Sequence, residues 1–370
     1  TCYAVRDKVV MEQIRTPSSP APSAPLSGRP VATHAPQQQT RGRRARRTVG
    51  WLVSGALLLA LVVGGMAYLR PDVLRGLGAQ AGSASAGRRP WTAVHNWVYW
   101  INNPDLSQIS SSAYELAVID YSADGSGDAA FTAAQIARLR ASGCHRRVVA
   151  YFSIGEAESY RWYWQAGWRP GAANTPPWFV GADPDWPDNY WVRYWDPSWR
   201  QVIFQYLDRI LAAGFDGVYL DRIDAYAEPY ATGHTDDMLR LVSDIASYAR
   251  ARSPLGQDFG VIAQNAEELG PGHPDYVQTL TGIGREEVYV QATNTPTAPG
   301  DTAGAEADLQ TFRQSSRGHL VLTVDYASQP DLIRMAYTRS RAQGFVPYVT
   351  DVALDSLRVN PGYAPTCSPW

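Results

Sequence analysis

Eight short apolar runs, each closing on polar and mostly acidic residues, restrict this chain to very few folds. They occupy residues 94–100, 115–121, 147–156, 215–221, 259–265, 284–289, 320–325 and 345–351. Between them lie stretches with apolar residues at spacings of three and four, as in 132–139, 199–211 and 238–248. That spacing is the period of an amphipathic helix. Strands alternating with helices require right-handed crossovers and a parallel sheet. Eight such repeats within residues 91–370 suit a single (β/α)8 TIM barrel of the α/β class, a fold of ~250 residues. A doubly wound open sheet is the structural alternative. It is the weaker one, because no Gly-rich phosphate turn follows the first run.

The N-terminal 90 residues are a different polymer. Residues 1–48 read as a cytoplasmic tail, disordered over a Pro-, Ser-, Ala- and Gln-rich stretch and ending in five arginines between 41 and 47. Residues 49–69 carry no charge. They are long enough to span a bilayer, which takes ~20 apolar residues. The arginines before them would keep the N-terminus inside and send the rest of the chain out. A cleaved signal peptide is the competing reading, although its apolar core is usually ~7–15 residues. Residues 70–90 form a linker, and 91–370 the globular domain. The expectation is therefore a membrane-anchored protein with an extracytoplasmic domain, or a secreted one if the leader is removed.

Charge divides along the same boundary. Residues 1–90 hold 13 of the 33 basic and 3 of the 35 acidic residues, which leaves 91–370 with 20 basic against 32 acidic. An acidic exterior domain disfavours nucleic acid and attracts a polycation. Solubility alone is the plainer explanation. Of the three cysteines, Cys2 lies on the inner side of the expected span, so an oxidising exterior permits one pair, Cys144 with Cys367.

Several chemistries are excluded. No Gly-x-Ser-x-Gly elbow is present, and six scattered histidines offer no His-x-x-x-His pair. No metal or organic cofactor is expected, and a metal-dependent polysaccharide deacetylase is disfavoured for the same reason. Gly125-Ser126-Gly127-Asp128 is a turn rather than a phosphate cradle. Carboxylates and aromatics remain, including 12 tryptophans within 91–370. Aromatic faces suit a sugar cleft, and protonated amino sugars gain a cation–π attraction as well. For any single Trp, a place in the core is the better reading.

The most telling stretch is 214–226. Val218, Tyr219 and Leu220 read as a buried strand that stops at Asp221, with Asp224 and Tyr226 close behind. Strand C-terminal ends build the active site of a parallel barrel, and an ionised carboxylate there is costly unless it has a task or a partner. Four further segments join it: Phe152-Ser153-Ile154-Gly155-Glu156-Ala157-Glu158 with Tyr160-Arg161, then residues 192–199, 264–269 and 282–287. In this order the five motifs resemble glycoside hydrolase family 114, the endo-α-1,4-polygalactosaminidases, related to the hydrolase domain of the Pel polysaccharide system. The resemblance covers about residues 91–355.

The resemblance implies a (β/α)8 barrel that cleaves partly deacetylated, cationic galactosamine polymers with two carboxyl groups. Its catalytic Asp falls on Asp221, closing the fourth strand, and its catalytic Glu on Glu286, closing the sixth. Glu287 is adjacent, but successive strand residues face opposite ways, so one of the two points into the cleft. The expected roles are nucleophile or base for Asp221 and general acid/base for Glu286. The other polar strand ends form an expected substrate shell of Asp120, Tyr121, Tyr151, Glu156, Asp224, Asn265, Asp325 and Tyr326. For Asp120, Glu156 and Asp325 the competing reading is an ion pair with arginine, since the only lysine is Lys8.

The leading functional reading is a monomeric, anchored exterior glycosidase acting on an α-1,4-linked galactosamine exopolysaccharide of a biofilm or capsule. A non-catalytic exopolysaccharide-binding barrel is the alternative from another class. A glycosidase for a different cell-surface glycan is the third, with specificity set by the Trp-, Pro- and Gly-rich loop from 162 to 191, because fold alone does not fix substrate.

Overall fold

A computed structural model describes residues 87–370. The expected tail over 1–48, the span over 49–69 and most of the linker lie outside the described residues. Among the described residues no helix is long and apolar enough to cross a membrane.

Eight strands form one parallel sheet in the order β1 (Trp97–Trp100), β2 (Leu116–Ile119), β3 (Arg147–Ser153), β7 (Gly217–Asp221), β8 (Gly260–Gln264), β9 (Gly282–Glu286), β12 (Leu320–Tyr326) and β13 (Val346–Thr350). The sheet curls until its ends meet, where the Trp97 indole donates to the Val346 carbonyl at 3.0 Å. This is the expected (β/α)8 barrel, nearly closed. The runs are almost wholly buried, as strands covered on both faces must be.

Seven helices connect them: α1 (Leu106–Ser110), α2 (Ala133–Ala141), α3 (Pro197–Ala213), α4 (Thr235–Arg252), α5 (Pro274–Thr279), α6 (Pro299–Arg313) and α7 (Pro330–Ala342). Their starts follow from local chemistry. Asp105 accepts amides at the head of α1, Thr132 and Gln135 form a capping box on α2, and Asp196 with Pro197 opens α3.

Two insertions stand on the C-terminal ends of the strands. A three-stranded antiparallel flap, β4 (Glu156–Glu158), β5 (Phe179–Ala182) and β6 (Asn189–Val192), follows β3. A small hairpin, β10 (Val290–Gln291) and β11 (Thr295–Pro296), follows β9. Two expected strands are corrected by these. The third barrel strand stops at Ser153, so Glu156 belongs to the flap. The sixth runs over Gly282–Glu286 rather than 284–289 because Glu287, at φ 58°, turns the chain away.

Rings fill the lumen. Tyr99 lies 5.7 Å from Trp97 and 5.3 Å from Tyr219, and Trp97 lies 5.9 Å from Tyr348. The opposite, N-terminal ends of the strands are closed by ions. Arg88 and Arg140 both hold the fully buried Asp216, Arg89 holds Glu115 at 3.1 Å, and Arg147 holds Asp258 at 2.9 Å. The C-terminal tail is drawn in beside them: Ser368 N–H donates to Glu115 at 2.6 Å, and Cys367 is joined to Cys144 with Cα atoms 5.3 Å apart.

That bond closes a loop spanning 223 residues of sequence, so it restricts the unfolded chain strongly, by about 2–5 kcal/mol. Replacing both Cys144 and Cys367 by Ala should lower the urea midpoint by a corresponding amount. Reductant should lower the wild-type midpoint equally and leave the double variant unmoved.

Candidate active site

Strand alternation decides which polar ends meet. On β7, Tyr219 and Asp221 share the lumen side. On β9, Gly282, Gly284 and Glu286 do. Gly284 is required by close approach, since a Cβ there would stand 2.0 Å from the Tyr219 phenol oxygen. Tyr219 thus lies across β9 directly below the two carboxyl groups.

Each oxygen of the pair has a donor. Asp221 Oδ2 accepts from the Tyr151 hydroxyl at 2.6 Å, and Oδ1 from the Arg222 amide at 2.7 Å. Glu286 Oε1 accepts from the Tyr326 hydroxyl, and Oε2 from Asn265 Nδ2 at 3.2 Å. The Glu286 amide donates back to Asn265 Oδ1 at 3.2 Å. Below them the Tyr99 hydroxyl donates to Gln264 at 2.8 Å. Burial, and then the charge of Glu286, push the Asp221 carboxyl up to about 7. Burial also holds the phenols of Tyr99, Tyr151, Tyr219 and Tyr326 well above their ordinary range. They therefore stay neutral at any pH the protein meets.

Glu287 takes no part in this cluster. Its left-handed backbone sends the side chain under the hairpin, where Oε1 accepts the Ala292 amide at 2.7 Å. Asn265, also left-handed, is aimed at Glu286 in the same way.

The structure therefore brings together Asp221, Glu286, Tyr151, Asn265 and Tyr326. Asp224 stands nearby, partly exposed and 3.8 Å from Arg222. The remaining four members of the expected shell turn to protein partners. Asp120 is buried 2.7 Å from Arg161, which also holds Glu158 at 2.6 Å, and burial pushes its carboxyl up to about 6. Tyr121 packs outward on Tyr206 of α3 and donates to the Ser126 carbonyl at 3.1 Å. Glu156, on the flap, is buried 2.6 Å from Arg222; burial raises it to about 9, with Asp183 adding to the shift. Asp325 is on the helix side of β12, opposite to Tyr326. There it accepts the Tyr289 and Val290 amides at 2.7 and 2.9 Å. For Asp120 and Glu156 the arginine-pair reading describes the contacts made.

Arg161 is named from sequence only within a motif, and neither it nor Arg222 is assigned a role there. Their signal was present, because a chain whose one lysine is Lys8 must neutralise buried acids with arginine. Among the tryptophans, Trp97, Trp178 and Trp199 are buried, whereas Trp186 is 49% exposed on the flap loop. Trp191 stacks on Tyr230 at 5.5 Å, and Trp195 on His234 at 3.6 Å. Among the described residues no group of three His, Cys, Asp or Glu is arranged to hold a metal ion.

A parallel barrel carrying two carboxyl groups at the C-terminal ends of its strands has the frame of a glycoside hydrolase. The glycoside-hydrolase family GH114 model matches residues 79–365, and the chain belongs to that family. It is a glycoside hydrolase. A relative from Deinococcus radiodurans is 42% identical over 274 residues, covering 73% of this chain and 84% of that protein. One from Thermotoga maritima is 35% identical over 286 residues, covering 73% and 85%. The glycoside hydrolase domain of PelA from Pseudomonas aeruginosa shares the fold at 18% identity and a TM-score of 0.53, covering 71% of this chain and 97% of that one. Ega3 from Aspergillus fumigatus, solved with galactosamine, shares it at 20% identity and 0.53, covering 73% and 96%.

Asp221 has a consequence for stability. A carboxyl raised to about 7 in the fold is harder to ionise there than in the unfolded chain, where its pKa is ~3.9. Its contribution is fully present below that value and lost as pH rises through about 7. Asp221→Asn should therefore melt several degrees above wild type at pH 8 and match it at pH 4, as followed by calorimetry. Gly284→Ala should destabilise by about 1–3 kcal/mol through overpacking in the same measurement.

Proposed function

We propose that this protein is an exterior endo-glycosidase that cleaves α-1,4-linked, partly deacetylated galactosamine polymers, with Asp221 and Glu286 as its reacting carboxyl groups. The observation that carries the reading is their convergence over the aromatic lumen, each oxygen fixed by a donor. Substrate class is supported by family membership, by the galactosamine bound to Ega3 and by the excess of acid in residues 91–370, which attracts a polycation.

Glycosidic cleavage needs one ionised carboxylate and one protonated acid across the bond. Asp221 serves as the ionised group. Burial and the charge of Glu286 oppose that form and set it above about pH 7, while the Tyr151 hydroxyl, the neighbouring guanidinium and the Arg222 amide favour it. It supports the developing positive charge at the anomeric carbon, as nucleophile or as base for water, while Glu286 gives its proton to the departing oxygen. Asn265 and Tyr326 hold Glu286 in register, and the phenols beneath exclude water. Asp224 faces the sugar ammonium. The flap sets which sugars enter. The protein works as a monomer outside the membrane, tethered by residues 49–69. The uncharged length of that segment and the Cys144–Cys367 bond, which belongs in an oxidising compartment, both support this placement.

The exterior domain should shorten partly deacetylated α-1,4-polygalactosamine, read as chain length by mass spectrometry. Asp221→Asn and Glu286→Gln should each lose about 10³-fold or more. An aryl galactosaminide needs no proton on leaving, so Glu286→Gln should retain its first step there and Asp221→Asn should not. Because Asp221 must ionise, kcat should climb as pH passes through about 7. Intact polymer that still binds would replace this reading with the carbohydrate-binding one.

A further inference from the structure

Arg222 follows Asp221 directly and sits at φ 60°, ψ 32°, a left-handed conformation that side chains with a Cβ avoid. Arginine has no local hydrogen bond that favours it, so tertiary contacts must hold it there. Two sets of contacts do. The guanidinium lies among four acidic side chains, 2.6 Å from Glu156, 3.6 Å from Asp183, 3.7 Å from Glu228 and 3.8 Å from Asp224. Glu156 and Asp183 belong to the flap, Asp224 and Glu228 to the segment after β7, so one side chain ties the flap to the end of the catalytic strand. The backbone is wedged as well. A Cβ on Gly155 would stand 2.1 Å from the Arg222 carbonyl oxygen, so only glycine at 155 leaves room for that turn.

Held this way, the Arg222 amide donates to Asp221 Oδ1 at 2.7 Å. A cation surrounded by acidic side chains, in a site proposed for a cationic polymer, has no use as a substrate ligand. We infer that Arg222 is a positioning residue: its guanidinium lock keeps the chain in the left-handed turn that aims an amide at Asp221 and fixes that carboxylate beside Glu286. The inference rests on Asp221 being the reacting carboxylate. The groups that set the ionisation of Asp221 are Glu286 and Asp224, Arg222 itself, and the hydroxyl of Tyr151, with Glu156 and Tyr99 coupled to it more weakly. Removing the guanidinium therefore leaves Asp221 facing acids and neutral phenols.

The test compares Arg222→Lys, Arg222→Gly and Arg222→Ala in the exterior domain, with Asp221→Asn alongside. Lysine keeps the charge without the fork, glycine keeps the turn without the lock, and alanine keeps neither. On polygalactosamine, kcat should fall in the order Lys, Gly, Ala, reaching about 100-fold for Ala, the scale of a small misplacement of a reacting group. KM should stay within a few-fold. The acidic limb of the kcat profile should move to higher pH in Gly and Ala and stay in place in Lys. A folded Arg222→Ala with wild-type kcat, or with its whole loss in KM and an unmoved limb, would reduce Arg222 to a flap anchor. Should Ala fail to fold, the limb in Gly against Lys decides the matter alone. An active Asp221→Asn would instead overturn the assignment of Asp221, an outcome separate from any result at Arg222.

Discussion

Everything at the mouth of this barrel follows from placing two carboxyl groups over a lumen packed with aromatic rings. Packed rings leave little room for water beneath Asp221, so charge on it is costly, and the charge of Glu286 beside it makes it costlier still. The ring layer of Trp97, Tyr99, Tyr219 and Tyr348 makes the floor rigid and poorly solvating. The polar edges of Tyr151 and Tyr326 return one donor to each acid. Asp221, raised to about 7 in this setting, therefore changes its charge close to neutral pH, where acid–base chemistry at a sugar bond can use it.

The chain holds this arrangement by using its arginines at two levels. Arg88, Arg89, Arg140 and Arg147 neutralise Asp216, Glu115 and Asp258 at the closed end of the barrel. Arg161, Arg222 and Arg285 neutralise Asp120, Glu158, Glu156 and Glu267 at the open end. Arginine suits both tasks, since its planar fork meets several acceptors at once and it remains charged when buried. Removing one partner of such a buried pair leaves an uncompensated charge, which is worse than never having built the pair. The arginines therefore fix geometry more than they add stability, and the flap and the tail inherit positions from them.

Much of this was legible in the residues. Continuous apolar runs alternating with period-three-to-four stretches sufficed for the barrel, and the abrupt acid end of one run pointed at Asp221, whereas Glu286 came from the family resemblance. What stayed illegible lies mostly at adjacent pairs. Asp120 or Tyr121, Asp325 or Tyr326, and Glu286 or Glu287 all read as polar strand ends. Only the pleat and the turn beyond it decide which member faces the lumen. The left-handed turns at Arg222 and Glu287 carry no compositional mark, because neither residue type favours that backbone, and Asn265 alone offers a hint. Glu156 failed for a related reason. Gly155 reads as the interior of a strand end, yet it is there to admit the Arg222 carbonyl, and the strand has already stopped.

Strain and burial of this kind are sustained only when the rest of the fold is firm. A left-handed arginine, an acid raised to about 7 and a second raised to about 9 all lower the stability of the open end. The opposite end carries the compensating feature, the Cys144–Cys367 bond that draws the last residues under the barrel. Separating the two keeps the compensation out of the cleft. Had the disulfide or the tail lain across the strand C-termini, the same stabilisation would have covered Asp221 and Glu286. In a parallel barrel the two ends are distinct by construction, so one face can be strained for chemistry while the other is tied down.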